Sequence, residues 1–262
     1  MICDQNDFLV KRTGWHTQAQ FDAPIYGLFA MPDGVGCAVH AGAKLYFRAP
    51  DGTQTELCAD MNEAFSQSFT MKGVLYLMDG KTYRAVRKSS KNTAWEAVSV
   101  SGTAYVPTTT ISAAPTGGGT SYEAVNFLTP KRINTFIGDG TATQFKVDAT
   151  DLDETAVTAE VNGSAVTVSA VNRSTGLVTL AAAPANGNGL ANVSIAFAKT
   201  VSGHADKINK CRFAGLYGGK NDTRVFLSGN PDEPDCDWQS GLYDPTYFPD
   251  TGYTRMGTDA SA

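Results

Sequence analysis

Three histidines, five cysteines and two carboxylate clusters are the residues of this chain whose types could support chemistry. His16, His40 and His204 stand far apart, and no H-E-x-x-H or G-x-S-x-G motif is present, so neither a metallohydrolase nor a serine nucleophile is indicated. Cys3, Cys37, Cys58, Cys211 and Cys236 are odd in number, widely spaced and without a C-x-x-C pair. That pattern fits neither a zinc site nor a disulfide framework, and reduced thiols are expected. Asp148, Asp151, Asp153 and Glu154 lack the spacing and the glycine of a helix-loop-helix calcium loop and read as a solvated loop. Asp232, Glu233, Asp235 and Asp237 lie beside Trp238, where two carboxylates could serve a glycosidase. Two prolines stiffen that loop, and nothing else in the sequence supplies a sugar cleft. No catalytic residue, metal or cofactor is assigned, and no enzymatic activity is expected.

Two groups of residues suit contact rather than catalysis. The stretch from Trp238 to Tyr253 holds the aromatics Trp238, Tyr243, Tyr247, Phe248 and Tyr253 with two prolines and no periodicity. Aromatics in such a loop either cap a core or present a face to a protein or a sugar. Lys81, Arg84, Arg87, Lys88 and Lys91 follow a strand-like run. They read first as a solvated strand end, with contact to nucleic acid or an acidic partner as the alternative. A net charge of −5 disfavours nucleic acid as the main ligand.

The elements that must position these groups are strands. With 262 residues the chain can bury a sizeable core. Its charged fraction is only 18%, while 26 glycines and 11 prolines supply the turns that short strands need. Helical periodicity is scarce, and only Ala59 to Phe65 could make a turn or two. Hairpins recur instead. Gly36 to Phe47 turns at Gly42, and Gly73 to Tyr83 turns at Asp79-Gly80, read as a type I′ turn. Arg212–Tyr217 and Arg224–Leu227 flank a turn at Gly218–Asp222. Recurrence at roughly 40–50 residues suggests propeller blades, with a generic β-sandwich as the alternative.

Residues 131–200 differ in kind: they contain no Trp, Tyr or Cys and alternate cleanly, with a hairpin at Asn162-Gly163. They read as a small sandwich with Phe136, Phe145 and Phe197 in its core. The Pro-, Thr- and Gly-rich run from Val106 to Thr120 reads as loop or linker. The expected fold is therefore all-β: partial β-propeller-like hairpin repeats over 1–130 and 201–262, with an inserted immunoglobulin-like β-sandwich at 131–200. Met1 to Val10 lacks the order of a signal peptide, and no apolar run reaches the ~20 residues of a membrane helix.

Several of these segments carry a resemblance. Arg224-Val-Phe-Leu-Ser-Gly-Asn-Pro231 with Asp244-Pro-Thr-Tyr-Phe-Pro249 resembles a signature of the packaged-DNA stabilisation family of short-tailed bacteriophages. Tyr105-Val-Pro-Thr-Thr-Thr-Ile111 and Asn126-Phe-Leu-Thr-Pro130 are similar to the same group, and Phe136-Ile-Gly-Asp-Gly-Thr-Ala-Thr-Gln-Phe145 resembles a sandwich module of virion proteins. The resemblance implies a propeller-like structural subunit of the virion, made in the bacterial cytoplasm. It would form a homo-oligomeric ring among portal, tail or connector proteins. DNA contact through the basic cluster and glycan contact through the aromatic stretch stay open. The alternative is a carbohydrate- or receptor-binding module of a phage tail or bacterial surface. Without the insert, about 190 residues remain, short for a closed propeller. A fragment of a longer chain, or an open β structure completed by a partner, is expected.

Overall fold

The structure, a computed structural model, describes residues 2–3, 9–10, 17–91, 93–219 and 223–257. The chain is all-β. Three antiparallel meanders of four strands each make up its larger part. The first sheet runs through Ile25–Ala30, Cys37–Ala41, Lys44–Arg48 and Gln54–Cys58. The second runs through Gln67–Met71, Val74–Met78, Tyr83–Lys88 and Trp95–Ser99. The third comprises Phe213–Tyr217, Arg224–Ser228, Cys236–Gln239 and Tyr253–Arg255. In each, strands neighbouring in sequence are neighbours in the sheet, as in a propeller blade. No closed barrel or propeller forms among the described residues.

The sheets stack because the second is apolar on both faces. Strand residues alternate sides. Leu75, Leu77 and Val86 face the first sheet, where they meet Ala38 and Leu45. Tyr76, Met78, Tyr83 and Ala85 face the third, where they meet Val225, Leu227 and Trp238. A strand buried on both faces reads as a continuous apolar run, and Val74-Leu-Tyr-Leu-Met78 is one. The second sheet is thus the middle layer of three.

Turn chemistry sets the registers. Met71 pairs with Val74 across Lys72 and Gly73, whose φ values of 51° and 73° are those of a two-residue type I′ turn. Asp79-Gly80, by contrast, is not such a turn. Met78 pairs with Tyr83, so the loop has four residues. It is closed by Asp79, whose carboxylate accepts from the Lys81 and Thr82 backbone N–H and from Thr82 Oγ1. Asn162-Gly163 does form the expected tight turn, with φ of 50° and 76°. Part of the Gly218–Asp222 turn lies outside the described residues.

The sequence between the second and third sheets forms a two-layer sandwich. One layer has six strands in the order Thr120–Ser121, Thr108–Ala113, Lys131–Phe136, Val193–Ala198, Thr158–Val161, Ser164–Val166. The other has Gln144–Lys146, Leu177–Leu180 and Val168–Asn172. Phe136, Phe145 and Phe197 are buried between them, as expected. The run from 106 to 120 is not merely linker. Thr108–Ala113 pairs in parallel with Lys131–Phe136, and its β-branched Thr109 and Thr110 donate to Asp148 at 2.6 and 2.8 Å. Residues 59–65 form no helix. Among the described residues the α-helix is His204–Asn209, which turns the chain from the sandwich into the third sheet and buries Ile208.

Candidate functional site

The aromatic stretch Trp238–Tyr253 divides. Trp238 and Phe248 are buried in the core between the second and third sheets, so they cannot form an exposed platform with Tyr243 and Tyr247. Tyr247 is half-buried. Its hydroxyl donates to Ala124 O at 2.9 Å and its ring lies 5.1 Å from that of Tyr105. Burial, then the Glu123 charge, pushes the Tyr247 phenol up to about 12. Tyr243 holds a left-handed backbone, φ 52°, and Tyr253 is 49% exposed.

What the stretch builds is a clasp centred on the buried Asn126. Its Nδ2 donates to Tyr105 O at 2.8 Å and Thr246 O at 2.9 Å, while its Oδ1 accepts from Leu128 N and Phe248 N. Tyr83 Oη of the second sheet donates to Pro245 O at 2.9 Å. Segments around residues 105, 126 and 246 are thereby locked to the sheet stack.

The basic cluster does not gather into an open cationic surface. Arg84 is buried and paired with Asp60, because its strand position faces the first sheet. Arg87 Nε donates to Glu96 at 3.0 Å. Lys88 pairs with Asp33 at 2.9 Å and lies over the Trp95 ring. Lys81 and Lys91 remain exposed at the two strand ends.

The acidic groups are largely structural. Asp148 also accepts from Asn134 Nδ2 at 2.9 Å. Asp153 accepts from Thr200 N and Oγ1, and Glu154 pairs with Arg173. Asp232 pairs with Lys210, Glu233 with Lys207 and Arg255, and Asp235 with Arg255. No group of three or more His, Cys, Asp or Glu is poised to hold a metal among the described residues. Burial pushes the Cys211 thiol up to about 12, which disfavours its nucleophilic form.

His40 and Ser66 meet, with Nδ1 and Oγ 3.0 Å apart, and Asp79 adds a favourable charge nearby. The resemblance to a hydrolytic triad ends there. All three side chains are buried between sheets, the Asp79 oxygens are taken by Asn62, Lys81 and Thr82, and His40 Nε2 has no partner. Desolvation holds the His40 pKa below its usual value. His16 and the Cys3 side chain lie outside the described residues.

The surfaces that stand out are the outer faces of the stack. On the first sheet, Ile25 and Leu28 are 56% and 66% exposed, and with Phe21 and Val39 they line an open apolar groove of about 440 Å³. Arg48 lies at that groove, with Nη2 donating to Gln18 O at 2.9 Å and its charge acting on the nearby Asp51. On the third sheet the cross-strand pairing puts Phe213, Tyr217 and Phe226 on the outer face. Phe213 and Tyr217 are 54% and 78% exposed. Asp237 shares that face, and its carboxylate makes no hydrogen bond or ion pair among the described residues. Sequence reasoning passed over these residues. The available signal was Ile25-Tyr-Gly-Leu-Phe29, apolar at both alternations, which a sheet with one solvated face does not need. No family model, curated protein or solved structure matches the chain.

Proposed function

We propose that this chain is a non-enzymatic structural subunit of a tailed-bacteriophage particle, and that it assembles by stacking sheet on sheet with further copies of itself. The observation that carries the assembly reading is the pair of apolar outer faces at opposite ends of the three-sheet stack. Every internal layer of the stack buries apolar residues from both sheets, so an exposed outer face of the same character lacks its partner layer. The two ends complement each other. One offers an apolar groove edged by Arg48, the other protruding aromatics beside Asp237. Such a contact is head-to-tail, which generates rings or filaments rather than closed twofold dimers. The particle setting rests on the sequence resemblance, carried chiefly by Arg224–Pro231 and Asp244–Pro249; the latter meets the similar segment Asn126–Pro130 in the clasp.

Mass spectrometry of purified phage particles tests the setting. Peptides from Arg224 to Arg255 at a constant copy number per particle are expected. Their complete absence would remove the particle setting and leave only self-assembly.

A further inference from the structure

A cleft of about 280 Å³ opens where the helix, the third sheet and the clasp meet, away from both outer sheet faces. Its charged lining is balanced: Lys207 and Arg255 against Glu233 and Asp250. Glu233 is engaged by both cations. The side chains of Asp250 and His204, in contrast, make no hydrogen bond or ion pair among the described residues, although both are half-buried. Half-burial leaves both groups open to the cleft, where the Asp250 charge acts on His204 and a ligand can reach both. Tyr253 contributes exposed aromatic surface to the same cleft, whereas Phe127 is buried in its wall, with the His204 ring edge-on at 5.0 Å and Lys207 Nζ over its ring at 5.9 Å.

We infer that this cleft binds one neutral sugar ring. A carboxylate and an imidazole accept from hydroxyls, Lys207 and Arg255 donate to them, and the Tyr253 ring takes the apolar face of the sugar. An anionic ligand would meet Asp250 and Glu233, and a cationic one would meet Lys207 and Arg255. A hydroxyl-rich uncharged ligand opposes none of the four. The volume lies at the lower end for ligand pockets and suits a single ring. The inference does not depend on how the chain assembles, because the cleft lies on neither outer sheet face.

Saturation-transfer NMR on the full chain tests it, using methyl glycosides of a neutral hexose and a neutral N-acetylhexosamine. A hexuronate and an aminohexose glycoside serve as charged comparators. At least one neutral glycoside is expected to receive saturation. Its affinity should fall about tenfold or more in Asp250→Ala, which removes the charged acceptor, and also in Tyr253→Ala. Near-UV circular dichroism checks that each variant keeps its fold. Absence of transfer to both neutral glycosides, preference for a charged comparator, or unchanged affinity in both variants would each overturn the assignment.

Discussion

Asn126 is the residue on which most of the clasp's polar groups converge. Its amide satisfies two carbonyls and two backbone N–H groups in a buried setting. Replacing it by alanine removes the partner of the Leu128 and Phe248 N–H groups and of the Tyr105 carbonyl, while Thr246 O keeps its bond from Tyr105 N, at about 1–3 kcal/mol for each buried group left unsatisfied. Asn126→Ala should therefore lower the urea midpoint by several kcal/mol equivalent. A midpoint within error of wild type would show that the clasp adds nothing to stability. Two histidines set a pH dependence. Burial lowers the pKa of His40, opposed by the Asp79 charge, and of His204, opposed by Asp250 and reinforced by Lys207 and Arg132. The unfolded chain then binds protons that the folded chain does not as pH falls below the usual histidine value of 6.5. Stability is full above that value and declines through the window beneath it. Urea midpoints at pH 7.5 and 5.5 should differ in that direction, and His40→Gln should reduce the difference.

At the scale of elements, turn geometry decides which hairpins form. Gly73 and Gly163 each hold positive φ at the second position of a type I′ turn with open space where a Cβ would go. Alanine at either site meets no clash, so its cost is conformational strain alone, about 1–2 kcal/mol. Equilibrium unfolding of Gly73→Ala and Gly163→Ala should give losses in that range, and a loss several times larger would point to an unrecognised packing role. The glycine pairs were partly legible in the sequence. Asn162-Gly163 announced its turn, whereas Asp79-Gly80 resembled one and became a four-residue loop. There the Asp79 side chain competes for the loop's own backbone N–H groups, which dipeptide rules do not weigh. Lys72-Gly73 escaped notice because lysine is an uncommon choice for the first left-handed position.

For the whole molecule, the head-to-tail assembly has a property that a twofold contact lacks. Leu28→Asp disables one outer face and Tyr217→Asp the other, and both residues are exposed, so neither change should disturb the fold. Each variant alone should sediment as a monomer. A mixture of the two still contains one competent pair of faces, Tyr217 of the first variant against Leu28 of the second. Mixing should therefore restore a dimer and nothing larger. Sedimentation velocity distinguishes the cases: a wild-type chain that stays monomeric at all concentrations sinks the self-stacking. Variants that both still assemble place the contact elsewhere.

The sequence by itself determined the all-β class, the meander hairpins, the aromatic core of the sandwich and the poverty of catalytic motifs. These follow from period-two alternation, turn residues and local spacing, all of which are short-range properties. Only the tertiary structure decided which alternating face meets which sheet. It also decided that Trp238 and Phe248 are core rather than platform, that three of the five clustered cations are matched by carboxylates, and that the run near residue 110 is a strand. It brought Asn126 to Phe248 and His204 to Asp250. The reason is physical: burial and ion pairing depend on which surface stacks against which. In a chain whose sheets are apolar on both faces, local alternation does not say which of the two is covered.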